Sequence, residues 1–216
     1  MISRADSSVA ELPLFQGEDG GAIPTSALQL YFKKIEYLTA INFLVEHHYL
    51  HRKAPVSLSF GAYFNGKLIG ACTIGKPASH TLINGVCGKE RGHDVFELNR
   101  MCMLDHAPKN SESRFIGWVV RQLDRKTILV SYADTAQKHE GIIYKATNWI
   151  YTGTSIPFKD YTFDGMDHRS VPKHLRDKTK MKEVTRSKKH RFVYFCDPAD
   201  RCLLKWKTKP YQTKGE

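Results

Sequence analysis

The chain has 216 residues, 41% hydrophobic and 25% charged, which suits one sizeable core and speaks against wholesale disorder. No apolar run is long enough to cross a bilayer and no signal peptide opens the chain, so membrane and secreted classes are set aside and a cytosolic protein is expected. The net charge of +11 is unevenly spread: residues 1–165 carry 18 Lys/Arg against 16 Asp/Glu, residues 166–216 carry 15 against 6, and the five cysteines form no C-x-x-C pair that would suggest zinc.

Residues 1–26 scatter Gly, Pro, Asp and Ser and read as an N-terminal arm. Leu28, Leu30 and Phe32 alternate with polar residues, as a strand does. Leu38, Ile41, Phe43, Leu44, Val45 and Tyr49 then recur at helical spacing, predicting an amphipathic helix that ends near HHYLH. SLSFGAYF and LIGACTIG are β-prone runs joined by Asn65-Gly66-Lys67, and Asn-Gly is the pair a tight hairpin turn prefers. Residues 76–94 are polar and read as a loop facing a site. A strand over 95–104, a helix over 112–125, a strand over 128–133 and a helix over 139–148 follow. RFVYFC (191–196) reads as a late strand, and the basic run 169–191 as loop or short helix. The order predicts an α/β protein: a mixed sheet with helices on both faces. We divide it into an arm (1–26), a core (27–165) and a basic C-terminal extension (166–216) that packs its late strand on the core.

Several residues stand out for chemistry. Lys109, Asn110, Ser111, Ser113 and Arg114 open a helix, where hydroxyls, cations and free backbone N–H groups suit an anion; the same pattern also serves as an ordinary helix cap. Arg100 lies within a strand and needs a partner, either Glu97 or a bound anion. Asp134 ends a strand, where carboxylates that act as general bases gather. His48 and His139, with Tyr49 and Asp134, form a set able to ligate a first-row metal such as iron if their two loops meet. Histidines at a helix C-terminus also simply complement its dipole. In the extension, Arg169, Lys173, Arg176, Lys188, Lys189 and Arg191 are interleaved or followed by Phe192, Tyr194, Phe195, Trp206 and Tyr211. Cations that grip phosphates beside rings that stack on bases point to nucleic acid ahead of a merely solubilising tail.

The stretch Ile143-Tyr144-Lys145-Ala146-Thr147-Asn148-Trp149-Ile150-Tyr151-Thr152-Gly153 resembles the closing helix and strand of the GNAT acetyltransferases, with Asn148 where glycine is usual. That resemblance implies a GNAT-like fold, acetyl-CoA or another small metabolite as donor, and Tyr144 as the acid that protonates a leaving thiolate. The glycine-rich phosphate turn of that superfamily is replaced here by Lys109–Arg114. HHYLHRK, FGAYFNGKLIGACTIGKPAS, ELNRMCMLDHAPKNSESRFIGWVVRQL and SYADTAQKHEGIIYKATNWIYTG, in that order, resemble the Mom family of bacteriophage DNA-modification proteins over roughly residues 28–195. That narrower resemblance implies an enzyme converting adenine to its N6-carbamoylmethyl form in double-stranded phage DNA, within the host cytoplasm, and so protecting the DNA from host restriction. It also implies functional roles for Arg100 and Ser113, and iron as a candidate metal. A base inside a duplex must be flipped out to be modified; Tyr49, Tyr63, Trp149 and Tyr151 are candidates to clamp it. Two other readings are a conventional acetyl-CoA N-acetyltransferase and a non-catalytic DNA-binding protein. No membrane partner is expected, and a homodimer is left open.

Overall fold

The computed structural model describes residues 22–157, 159–163, 166–167, 171–172, 174, 179 and 181–211. Residues 1–21 of the expected arm therefore lie outside the described residues. So do Arg169, Lys173 and Arg176.

A one-turn 3-10 helix, Ala27–Gln29, opens the described chain. Ser26 caps it and Gln29 reaches back to complete the capping box. This corrects the strand expected from Leu28: the reciprocal cap wins over the alternation, and β1 begins only at Tyr31–Lys34. α1 (Tyr37–His47) buries Ala40, Ile41, Phe43 and Leu44. β2 (Leu58–Phe64) and β3 (Lys67–Gly75) make the expected hairpin. Asn65 and Gly66 adopt φ of 46° and 81°, the positive values a two-residue turn of this hand demands.

The stretch 76–94, expected to be a loop, holds α2 (His80–Cys87) and a 3-10 helix, Lys89–Asp94. Ser79 caps α2 by accepting the Leu82 N–H. Its apolar residues pack with Val95 and Val130, a face too short to register as periodic. β4 (Val95–Met103), α3 (Ser111–Val120) and β5 (Ile128–Asp134) come next. The helix expected over 139–148 contracts to α4 (Ile142–Ala146), because Gly141 at its start and Asn148 just past its end are both left-handed. β6 (Ile150–Thr154), β7 (Lys159–Phe163), β8 (Met166–Asp167), β9 (Met181–Thr185) and β10 (Lys189–Phe195) complete the strands.

The main sheet has the order β1-β2-β3-β4-β5-β10-β6, antiparallel throughout except for the β4–β5 pair, which α3 links by a crossover. The mixed α/β class is as the sequence implied. β7, β8 and β9 form a separate three-stranded sheet. On one face of the main sheet Leu98, Leu129 and Phe192 pack with Phe115, Ile116 and Val119 of α3 and with Tyr144 of α4. Alternate residues, Val95, Ile128, Val130 and Val193, pack on α2 and on Trp206 from the other face, and Ala71 of β3 packs on α1.

The late strand of the extension packs on the core as β10. It pairs with β5 over seven registered positions and with β6 on its other edge, so it is an inner strand of the core. The chain beyond it continues that role. Lys205 N–H donates to Val86 O and Lys209 N–H to Tyr151 O; Tyr211 donates its hydroxyl to Trp149 O. Among the described residues, no helix is long and apolar enough to cross a membrane.

Candidate functional site

The sheet opens where β4 and β5 part. They pair from Val95↔Ile128 to Leu98↔Ser131, yet β4 runs on to Met103 and β5 to Asp134. A bulge against β3 falls at the same point and leaves Asn99 outside the register. Asn99 is pinned there: Thr73 Oγ1 donates to its side-chain oxygen at 2.7 Å, and its Nδ2 donates to Pro55 O at 2.6 Å. A bulge re-aims the strand that follows it. The result is a cleft of about 510 Å³ between the diverging strands, closed by the end of α1 and by the segment leading into α4.

Six of the residues singled out in the sequence line this cleft: His48, Tyr49, Arg100, His139, Tyr144 and Lys189. His48 is 7% exposed, and its Nδ1 accepts the Leu50 N–H at 3.1 Å. A neutral imidazole with Nδ1 accepting carries its hydrogen on Nε2. Burial first, then the charge of Arg100, lowers the His48 pKa to about 4, so the ring is neutral at pH 7. Tyr49 stacks on it with centroids 4.4 Å apart and meets His139 edge-on at 5.9 Å. Burial and the Asp134 charge both raise the Tyr49 hydroxyl above its ordinary pKa.

Tyr144 floors the cleft. It stacks on Phe192, and its hydroxyl lies 2.7 Å from Ser131 Oγ. Ser131 donates its own hydrogen to Leu98 O at 2.8 Å, so Tyr144 is the donor to Ser131. Burial drives its pKa strongly upward. The phenolic proton is thus committed within the floor. Glu97, weighed in the sequence only as a partner for Arg100, also lines the cleft. Burial raises its pKa; Arg100 and Lys189 oppose that more weakly.

Asp134 stands beside the cleft and is absent from its lining. Its carboxylate accepts from Ser187 Oγ at 2.5 Å and from Ala136 N–H at 3.0 Å, with Lys189 Nζ at 3.6 Å. Burial alone would raise its pKa, but these donors and the lysine together hold it below the ordinary value. A carboxylate satisfied in this way is a weak proton acceptor. Its visible work is to cap the turn after β5 and to anchor the chain entering β10.

The expected anion grip is dispersed. Ser111 is fully buried, and its Oγ has no hydrogen bond among the described residues. Ser113 Oγ donates to Asn110 O at 3.1 Å. One Arg114 nitrogen donates to both Ala27 O and Leu30 O at 2.8 Å, tying the N-terminal turn to α3. Lys109, Asn110, Ser113 and Arg114 open onto a second depression, of about 820 Å³, on the α3–α4 side. With one hydroxyl sealed in and the arginine engaged, this set does not fit the role of a CoA pyrophosphate cradle. Iron fits no better. Among the described residues no group of three or more His, Cys, Asp or Glu can hold a metal ion, and the His48 nitrogen with a lone pair is already taken by Leu50.

The basic residues divide similarly. Arg191 stacks over Trp206 at 3.7 Å and donates through Nε to Thr152 Oγ1 at 2.9 Å, an internal clamp. Lys188 is exposed, and Lys189 reaches the cleft rim.

The neutral His48 carries a stability consequence. Its folded pKa lies below the value of about 6.5 expected when unfolded. Its contribution is therefore complete above pH 6.5 and is lost as pH falls through 4, by roughly 3 kcal/mol. We expect the melting temperature of His48→Phe to fall less between pH 6.5 and 4 than that of the wild type; equal slopes would refute this account.

A helix-covered mixed α/β sheet, parted at its one parallel pair by a cleft lined with both polar and apolar side chains, defines the class as a mixed α/β protein. The chain belongs to the Mom protein family, whose model matches residues 29–213. The methylcarbamoylase mom of Escherichia phage Mu is 25% identical over 212 residues, covering 89% of this chain and 88% of that one. Among solved structures, a probable acetyltransferase from Staphylococcus epidermidis superposes with a TM-score of 0.47 at 11% identity, over 76% of this chain and 98% of its own. The ribosomal-protein-S18-alanine N-acetyltransferase from Escherichia coli gives 0.49 at 10% identity, over 78% and 94%.

Proposed function

We propose that this protein is a DNA-modifying transferase that replaces one hydrogen of the adenine N6 amine with a carbamoylmethyl group, protecting phage DNA from host restriction within the host cytoplasm. The observation that carries the reading is the cleft itself. It offers the neutral His48 stacked on a half-exposed Tyr49, the Arg100 cation beside them and a closed aromatic floor. An extrahelical base needs a ring to stack on and polar groups at its edge, and stacking contributes about 1–3 kcal/mol per base. Kinship with the methylcarbamoylase of phage Mu over 89% of the chain supports the transferred group.

The chemistry limits the donor. Acyl transfer from acetyl-CoA would leave an amide on N6, whereas the carbamoylmethyl product has a CH2 bonded to nitrogen. The donor must therefore deliver that carbon to N6 as its bond to a leaving group breaks, the leaving group departing with the electron pair, and the displaced proton must leave the amine. In this reading His139, exposed at the rim with its ring against Tyr49, relays it.

The test is mass spectrometry of deoxynucleosides from plasmid DNA after expression of the full chain in a bacterium. We expect a deoxyadenosine heavier by one carbamoylmethyl group. Arg100→Ala or Tyr49→Ala should lower its yield by at least about 100-fold in folded protein, the scale of misplacing a reacting group. Unaltered adenine from well-folded wild-type protein would overturn the proposal.

A further inference from the structure

Tyr49, the stacking ring of the proposed site, lies on the stretch that leaves α1 and returns to the sheet as β2, and β4 touches that stretch at both ends. At the near end Cys102 Sγ donates to His47 O at 3.5 Å. At the far end Asn99 Nδ2 donates to Pro55 O at 2.6 Å. A carbonyl oxygen only accepts, so the amide nitrogen of Asn99 faces Pro55 and its oxygen faces the hydroxyl of Thr73, which is fully buried. β3 leaves space for this contact: a Cβ on Gly75 would stand 2.1 Å from Pro55 O and 3.0 Å from Asn99 Nδ2. The backbone of Asn99 meets the cation as well, since Arg100 Nη1 donates to Asn99 O. One residue thus touches both the strand's arginine and the stretch that carries the stacking ring.

We propose that Asn99 is a positioning residue for the modification, a latch that holds the 48–55 stretch against the bulged strand and so fixes the ring of Tyr49 relative to Arg100. The inference rests on the adenine reading above. The turn bearing Tyr49 is braced within itself, His51 N–H donating to His48 O and Leu50 N–H to His48 Nδ1. A braced turn passes a shift at Pro55 on to Tyr49 rather than absorbing it. Without the latch the turn keeps its tie to α1, where His51 Nδ1 donates to Val45 O at 2.9 Å, and swings about that point. A stacked base follows the ring it lies on, so the N6 amine drifts with it, and a displacement of about 1 Å is enough to cost about 100-fold in rate. Asn99 touches no reacting atom in this role; it acts through Pro55 and Tyr49.

Base stacking makes the latch measurable in binding. The full-length protein should favour a single-stranded oligonucleotide carrying one adenine over the same strand with an abasic site there by about tenfold, the scale of one stacked base. In Asn99→Leu we expect that preference to shrink to within about twofold, with the affinity for the abasic strand unchanged, and modification of plasmid adenine to fall about 100-fold. Gly75→Ala displaces Pro55 with Asn99 and Thr73 intact and should give the same pair of losses. Thr73→Ser, which keeps the hydroxyl, should hold both readouts within about threefold of the wild type. A merely structural Asn99 would lower the melting temperature and weaken binding of both strands alike, overturning the inference. An adenine preference undiminished in Asn99→Leu also overturns it, and leaves the turn held by His51 and α1. If Asn99→Leu does not fold, Gly75→Ala decides: a lost preference in that folded variant upholds the latch, a full one removes it. A wild type without any adenine preference fails earlier and differently, since it removes the adenine reading and the latch's purpose with it.

Discussion

Gly141→Ala should destabilise the protein by about 3 kcal/mol or more and abolish the cleft's function with it. Gly141 has φ of 74° and ψ of 28°, a left-handed conformation that costs an alanine about 1 kcal/mol. The larger part is steric. A Cβ here would stand 2.5 Å from Cε2 of Phe192 and closer still to Cζ. Phe192 is fully buried between Tyr144 and Tyr151 and cannot yield; overpacking of this kind costs about 1–3 kcal/mol. Set against a total stability of about 5–15 kcal/mol, the sum is a large fraction. Gly141 also accepts the Tyr144 and Lys145 N–H groups as the cap of α4, so the floor of the cleft moves with it. Gly66→Ala is the control: φ is 81°, but nothing lies within 4 Å of the added carbon. Chemical denaturation of the two variants separates crowding from backbone strain. Equal destabilisation would show that Phe192 does yield.

The same contrast explains what is legible in the sequence. The Asn65-Gly66 turn and the left-handed Asn148 follow from the local backbone demands of two or three residues, and local chemistry is what a sequence displays. Arg191 and Asp134 mislead for the opposite reason. The partner of Arg191, Trp206, lies 15 positions on, and the partners of Asp134, Ser187 and Lys189, lie beyond the whole β7–β9 excursion. Neither a basic run nor a strand-end carboxylate reveals that its charge is engaged elsewhere. The cleft residues His48, Tyr49, Arg100, His139 and Tyr144 stand out in the sequence by residue type and by family resemblance. What no pattern announces is the bulge at Asn99 that parts β4 from β5 and makes them neighbours. Glu97 stays in the background because a glutamate in a strand beside an arginine reads first as its ion pair.

The position of β10 turns the question of DNA affinity into one about an insertion. Stopping the chain after Gly165 would remove an inner strand together with buried Phe192, Val193 and Phe195, and should leave no folded protein. The segment between β6 and β10 behaves differently. Its ends are already joined: Ser155 N–H donates to Lys189 O at 2.8 Å, and Lys189 N–H to Ser155 Oγ at 3.0 Å. Between them, residues 156–186 carry eight Lys/Arg and five Asp/Glu, and two ion pairs, Lys159–Glu183 and Arg186–Asp160, are internal to the excursion. A four-residue turn in place of 156–186 would close β6 onto β10 as a hairpin and keep Ser187 for Asp134. We expect this deletion variant to melt cooperatively, because the main sheet and both of its packed faces remain. Its affinity for duplex DNA should fall by at least about tenfold, and the slope of log Kd against log salt should flatten by roughly one for each phosphate no longer gripped. An unchanged salt slope in the folded variant would move the DNA grip to Lys188, Lys189 and the cleft rim. Failure to fold would instead show that the small β7–β9 sheet supports the core, against the independence its pairing implies.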